Sequence, residues 1–275
     1  MENQLKYELA KTYIKNANAI LITAGAGMGV DSGLPDFRGT EGFWQAYPPI
    51  KKLGLNFSEM ANPKWFTTNP TLAWAFYGHR LNIYRKTIPH DGFKILLDLV
   101  TQNNYFIYTS NVDGHFQKAN FASDKIVEVH GSIYNFQCTE DCNDEIWDAT
   151  DEKINVDMEN FKALNIPKCH NCGAVSRPNI LMFGDWEWNS KRTEIQGENF
   201  SKWFSSIKRE NQQLAIIEIG AGTTIPTIRR LGEKIAKSYK NSKLIRINPR
   251  DFAINENIGY SIKLGGLEGI KAVIG

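Results

Sequence analysis

The chain has 275 residues, and at roughly 150 residues per domain this leaves room for one large domain or two modest ones around a buried core. Hydrophobic residues make up 42% and charged residues 23%, a soluble globular balance that argues against disordered, collagen-like and coiled-coil classes. Lys and Arg number 32 against 30 Asp and Glu; a balance this even gives no field for general binding to nucleic acid or anionic membrane, so any phosphate contacts must be local.

No stretch approaches the ~20 apolar residues that span a bilayer, and Met1-Glu2-Asn3-Gln4-Leu5-Lys6 lacks the apolar region of a signal peptide. A cytoplasmic protein without nucleic-acid or membrane partners is expected. The four cysteines all lie between Cys138 and Cys172, too few and too clustered for a secreted disulfide scaffold.

In chain order, Ala19-Ile20-Leu21-Ile22-Thr23 is short, rich in β-branched residues and followed at once by glycines, so it reads as a buried strand ending in a tight loop. Gly25-Ala26-Gly27-Met28-Gly29 is placed where a backbone can approach a pyrophosphate at a helix N-terminus, although glycines at a strand end also serve simple turns. From Gly39 to about Pro89 the chain is rich in proline and aromatic residues, with a helical segment over Thr71 to Arg85. Tyr105 to Tyr108 and Ile126 to Val129 read as further strands. Gln137 to Ser176 carries the cysteines and little periodicity. Strand-like runs return at Ile180 to Phe183, Leu214 to Ile219 and Leu244 to Ile247, separated by helical segments at Glu198 to Glu210 and Ile228 to Tyr239. This alternation predicts a mostly parallel sheet covered by helices.

Cys138-Thr139-Glu140-Asp141-Cys142 and Cys169-His170-Asn171-Cys172 are paired thiols of the kind that supply a closed four-thiolate zinc site serving the fold. Three residues separate the first pair instead of the usual two, and four free thiols are the alternative. His170, between two cysteines, reads as exposed.

With these blocks in place, the sequence resembles the sirtuin (Sir2) family of NAD-dependent protein deacylases, in its bacterial type. Gly25 to Gly39, including Ser32-Gly33-Leu34-Pro35-Asp36-Phe37-Arg38, is similar to that family's Gly-Ala-Gly-x-x-x-x-Ser-Gly-Ile-Pro-Asp-Phe-Arg signature. Thr109-Ser110-Asn111-Val112-Asp113-Gly114-His115, Val129-His130-Gly131, the cysteines, Arg177 to Gly184, Gly222-Thr223-Thr224 and Ile247-Asn248 follow in the family's order. The resemblance implies a Rossmann-like NAD-binding domain built from 1–38, 88–136 and 177–275, and a smaller helical and zinc-binding domain from 39–87 and 137–176. It also implies a reaction in which nicotinamide leaves NAD, the acyl-lysine oxygen attacks the exposed ribose carbon, and free lysine and O-acyl-ADP-ribose result.

Carried over residue by residue, the resemblance implies cofactor contacts from Gly25, Ala26, Gly27, Ser32, Asp36, Phe37, Arg38, Ser110, Asn111, Asp113, Gly222, Thr223, Thr224 and Asn248. Arg38 and the glycine backbone would hold the diphosphate, and Asp113 would accept from the nicotinamide carboxamide. His130, Asn111 and Asp113 become the catalytic candidates, with the imidazole taking a proton from a ribose hydroxyl. Leu181, Phe183 and Gly184 would meet the substrate, an acylated protein lysine. Departures are Ser110 where many sirtuins have Gln, Gly29 where Ser is common, Thr224 for Ser, Asp185 for Glu, and His115 one place out of register.

Ala75-Phe76-Tyr77-Gly78-His79-Arg80 is similar to the Phe-Tyr-x-x-Arg motif of sirtuins that prefer acidic acyl groups. On a helix Tyr77 and Arg80 share a face and could grip a succinyl or malonyl carboxylate; packing of Tyr77 and solvation of Arg80 is the plain alternative. An NAD glycohydrolase or ADP-ribosyltransferase, ending the same bond cleavage on another acceptor, is the alternative enzyme, and an NAD-sensing module the non-enzymatic one.

Overall fold

A computed structural model describes residues 2–35 and 39–275. The expectations for Asp36, Phe37 and Arg38 lie outside the described residues. The elements run α1 (Glu2–Asn16), β1 (Ala19–Ala24), α2 (Gly39–Ala46), α3 (Pro48–Lys52), α4 (Phe57–Met60), α5 (Lys64–Thr68), α6 (Pro70–Lys86), α7 (Asp91–Val100), β2 (Asn104–Thr109), α8 (His115–Lys118), β3 (Ile126–Glu128) and β4 (Gly131–Cys138). They continue with β5 (Ile146–Asp148), β6 (Val156–Asp157), β7 (Lys162–Ala163), β8 (Ser176–Ile180), α9 (Lys191–Arg209), β9 (Leu214–Ile219), α10 (Thr227–Ser238), β10 (Ser242–Ile247), β11 (Gly259–Ile262) and α11 (Gly266–Val273).

Six strands form a parallel sheet in the order β11-β10-β9-β1-β2-β3. Strand β1 sits inside it with both faces covered, which is why its apolar run is unbroken. Side chains alternate: Ile20, Ile22 and Ala24 face the core that includes Phe93 and Ile270, while Ala19 and Leu21 face that of Phe200, Trp203 and Ile235. Helices α7 and α11 therefore cover one face and α9 and α10 the other. Among the described residues no helix is long and apolar enough to cross a membrane.

A third core belongs to a separate aromatic module. Helix α6 is its axis, capped where the Asn69 side chain accepts from the Leu72 N–H at 3.2 Å with Pro70 in the first turn. Trp74, Phe76 and Tyr77 are buried from it against Phe43, Tyr47, Phe66 and Phe136. The module includes an antiparallel sheet, β5-β4-β8.

Two expectations need correction. The glycines after β1 open into two short 3₁₀ turns, Ala26–Met28 and Val30–Ser32, rather than a helix N-terminus. The run Ile180 to Phe183 is not a strand of the parallel sheet: the strand is Ser176–Ile180 and pairs with β4, leaving Leu181 to Gly184 as loop. The antiparallel sheet consequently spans the expected boundaries at 136 and 177. Hydrophobicity marks a strand without naming the sheet it joins.

At the carboxyl edge, β1 and β9 end in register, Ala24 opposite Ile219. A Cβ on Gly25 would stand 2.8 Å from Ala221 Cα, and one on Gly220, at φ +63°, would stand 2.4 Å from the Gly27 carbonyl carbon. Gly220→Ala should therefore cost about 1–3 kcal/mol; an unchanged thermal unfolding midpoint by circular dichroism would refute this close approach.

Candidate active site

Strand order reverses about β1, since β2 and β3 build away on one side and β9, β10 and β11 on the other. Ligands of open parallel sheets bind at the carboxyl ends of strands at such a switch point. There, Gly25 N–H donates to Ile219 O and Gly27 N–H to Gly220 O, both at 3.0 Å, so the two glycine turns lock together. Ala26 is exposed and Gly27 half-buried on the rim. The backbone N–H groups of Gly222, Thr223 and Thr224, in the turn after β9, meet no protein acceptor among the described residues. A row of free N–H donors at a sheet's carboxyl edge suits an anionic ligand.

Strand β2 delivers the next group. Ser110 N–H bonds Ala24 O at 3.1 Å, and Thr109 Oγ1 both donates to Ala24 O and accepts from Asn111 N–H, each at 3.0 Å. The Asn111 carboxamide is thereby aimed back at the glycine turn, where Nδ2 donates to Gly25 O at 3.0 Å. Asp113 is buried, and its Oδ1 accepts the His115 N–H at 3.0 Å. Gly114 precedes α8 at φ +66°, with the Tyr134 ring where a Cβ would be. His115 is buried, both its ring nitrogens without a hydrogen-bond partner among the described residues.

His130 follows β3. Its ring N–H is directed to the Ser110 backbone carbonyl, and burial holds its pKa below the usual 6.5 against the pull of that carbonyl. The imidazole is neutral at pH 7 and open to a proton. His130 O accepts Leu181 N–H at 3.0 Å, which joins the imidazole's strand end to the segment expected to meet substrate. In that segment Leu181 and Phe183 are 37% and 38% exposed. Gly184 turns the chain at φ +68°. Phe183 N–H donates to Ala61 O and its carbonyl accepts from Asn62 Nδ2, at 2.9 and 3.0 Å.

Other candidates are engaged within the protein. Asn248 is buried, donating to Ala221 O at 2.9 Å and accepting from the Arg250 and Asp251 N–H groups, so it shapes two loops of the edge. Ser32 Oγ accepts from His90 N–H at 3.0 Å. His90 spans the first 3₁₀ turn and α7: its Nδ1 accepts from Gly92 N–H and its Nε2 bonds Met28 O at 2.9 Å. The signal was present as a His-Asp-Gly start to an apolar helix.

Tyr77 and Arg80 share one face of α6 and stand apart from the sheet edge. Arg80 is 7% exposed, not solvated; its Nε and Nη2 donate to Tyr84 Oη at 3.1 and 2.8 Å, and the rings of Phe57, Phe76 and Tyr77 surround it. The Tyr77 hydroxyl is buried without a hydrogen-bond partner among the described residues. Phe57 links the two regions, its ring 6.0 Å from that of Phe183.

The sequence profile of the Sir2 family matches residues 25–218. The chain belongs to the Sir2 family. The NAD-dependent protein deacylase of Aquifex aeolicus is 34% identical over 94% of this chain and 95% of its own length. NAD-dependent protein deacylase 1 of Caldanaerobacter subterraneus is 25% identical over 96% of both chains. The fold is shared with a Sir2 homologue solved as an NAD complex, at TM-score 0.72 and 23% identity over 97% of this chain and 91% of that one. It is shared too with a Sir2 protein bound to a propionylated peptide, at TM-score 0.66 and 18% identity over 95% and 94%.

The cysteines of this Sir2 chain converge although 26 residues separate the pairs. All four Sγ atoms lie within 4.8 Å of one another, Cys138 to Cys172 at 3.5 Å and Cys142 to Cys169 at 3.6 Å. Asp141, at φ +44°, absorbs the extra residue of the first pair. His170 is exposed against Trp147 and outside the cluster. Four thiols so close, with backbone N–H groups pulling Cys169 toward thiolate, fit a structural zinc ion. Freshly purified protein should carry about one zinc per chain, lost in Cys169→Ser; metal-free native protein by elemental analysis would overturn the assignment.

Proposed function

We propose that this chain is an NAD-dependent protein-lysine deacylase. The observation that carries the reading is the junction at His130: its half-buried imidazole, kept toward the neutral form by burial, stands at the carboxyl edge of the parallel sheet, and its backbone carbonyl accepts the N–H of Leu181 in a part-exposed apolar segment. NAD, as co-substrate, supplies an electrophilic ribose carbon and nicotinamide as leaving group. The turns at Gly25 to Gly27 and Gly222 to Thr224 would cradle the diphosphate, with Arg38 expected beside them. Asn111, fixed on Gly25 O, and buried Asp113 would orient the nicotinamide end. The acyl-lysine would lie along Leu181, Phe183 and Gly184, which keeps its carbonyl oxygen near the reacting carbon, and His130 would accept the ribose hydroxyl proton. Rate then comes from positioning and proton transfer.

Membership of the Sir2 family and the curated deacylases that match nearly the whole chain support this reading. Peptides carrying acetyl, propionyl, succinyl and malonyl lysine, incubated with NAD and followed by mass spectrometry, test it: free lysine with O-acyl-ADP-ribose supports it. Nicotinamide release with no loss of acyl group would leave a glycohydrolase or ADP-ribosyltransferase instead.

His130→Ala should lower deacylation by roughly 10²–10⁴-fold, the usual worth of a positioned general base, while NAD binding persists. Because the neutral ring is the active form and its pKa is lowered, wild-type kcat/KM should stay level from pH 8 to 6.5 and fall only below that. Retained turnover in the variant, or a limb centred above pH 7, would remove His130 from the chemistry.

The finer reading is acyl choice. A guanidinium in an aromatic box beside a buried phenol with no hydrogen-bond partner among the described residues supports an acyl group that ends in a carboxylate. Losing a charged hydrogen bond costs about 1.5–3 kcal/mol, on the order of ten- to a hundredfold. Arg80→Met should depress desuccinylation by that factor and spare deacetylation. Equal effects on both substrates would assign Arg80 to packing.

A further inference from the structure

The loop that follows β8 is held by a buried charge pair that the reaction does not use. Arg177 Nη1 donates to Asp185 Oδ1 at 2.9 Å, and Nη2 pairs with Oδ2 of the same carboxylate. The same Nη2 donates to Ile180 O at 2.9 Å, and Asp185 Oδ2 also accepts Met182 N–H at 3.1 Å. One guanidinium and one carboxylate thus fasten both ends of the turn from 180 to 185. The side chains of Arg177 and Asp185 are 2% and 0% exposed, whereas Phe183 and Gly184 between them stand in solvent. Arg177 also lies 6.0 Å over the Phe66 ring of the aromatic module. Beyond the turn, Gln137 and Asn179 repeat the arrangement: Gln137 Nε2 donates to Glu187 O and Asn179 Nδ2 to Asn189 O.

A buried ion pair is a weak source of stability, because desolvation cancels most of its attraction and apolar side chains of similar volume often serve as well. What this pair supplies is geometry. It ties Ile180, Met182 and Asp185 into one turn, with Met182 packed inward and Leu181 and Phe183 part-exposed.

We propose that Asp185 is a positioning residue for the acylated peptide, acting through Arg177 and the Met182 amide to hold the turn on which Leu181, Phe183 and Gly184 are presented. This rests on the deacylase reading above and adds to it a residue with no contact to NAD or to the acyl group. One oxygen of Asp185 reaches both Arg177 and the Met182 amide, two residues into the turn from Ile180.

The test compares Asp185→Asn with the double variant Arg177→Met with Asp185→Leu, which removes the clasp without stranding a buried charge, and with Asp185→Glu as the conservative replacement. Steady-state kinetics on an acetyl-lysine peptide and binding of the same fluorescently labelled peptide are measured beside thermal midpoint, zinc content and the KM for NAD. A misplaced binding segment costs substrate affinity before it costs chemistry, so peptide KM and Kd should rise by about tenfold or more while the NAD KM and zinc content of the double variant hold. Asp185→Glu should recover part of the loss. A folded double variant with unchanged peptide KM and Kd, or with NAD KM raised equally, overturns the proposal alone. Wild-type protein that neither binds nor deacylates the peptide overturns the deacylase reading, and this proposal with it.

Discussion

Two backbone turns without side chains meet between β1 and β9, and the arrangement of the functional edge depends on that meeting. Gly25 and Gly220 approach so closely that neither tolerates a Cβ, and the hydrogen bonds Gly25 to Ile219 and Gly27 to Gly220 close the gap. Because parallel register brings the ends of β1, β2, β9 and β10 level, the residues that follow each strand gather around this point. Asn111 from β2 bonds one turn and Asn248 from β10 the other. The candidate edge is thus built from strand endings, with Asn111 and Asn248 holding its backbone.

Buried charge is used in the same supporting way. Glu218 on β9 meets Arg246 on β10 at 2.5 Å, and Arg246 reaches on to Glu233 of α10 and the carbonyl of Ala253. Glu128, which ends β3 two residues before His130, pairs with Arg192 of α9, while Thr193 and Gln196 of the same helix take its carbonyl and amide. Burial pushes the carboxyls of Glu128 and Glu218 upward, and the arginines oppose it. Each pair fixes a strand end to its covering helix, just where small displacements would matter.

Much of this was legible from residues alone. The apolar runs at β1, β2, β9 and β10 and the helical segments α6, α9 and α10 are local patterns, and their alternation carries the parallel sheet. The cysteine spacing anticipated the sulfur cluster, because paired thiols encode a shape in sequence. What could not be read is what depends on distant partners. Ile180 to Phe183 looks like any other strand until β4 is seen to claim its first part. Helix α1, with only Ala10 and Ile14 of its described residues buried deeply, offers too weak a stripe to be recognised. The roles of His90 and Asn62 lie in bonds to Met28, Ser32 and Phe183, far along the chain, and those of Arg177 and Asp185 in a turn whose shape no periodicity encodes.

The placement of β1 also governs how the protein comes into being. Its neighbour β9 begins beside Gln213, whose amide bonds Asn18, a residue 195 positions earlier. At a ribosomal rate of 5–20 residues per second, roughly 10–40 s pass between emergence of the two strands. For that interval the most apolar strand of the chain has an open edge, an exposure that invites pairing with another nascent copy. The length of that interval is set by where β1 and β9 fall in the sequence, not by how well they pair once both are present.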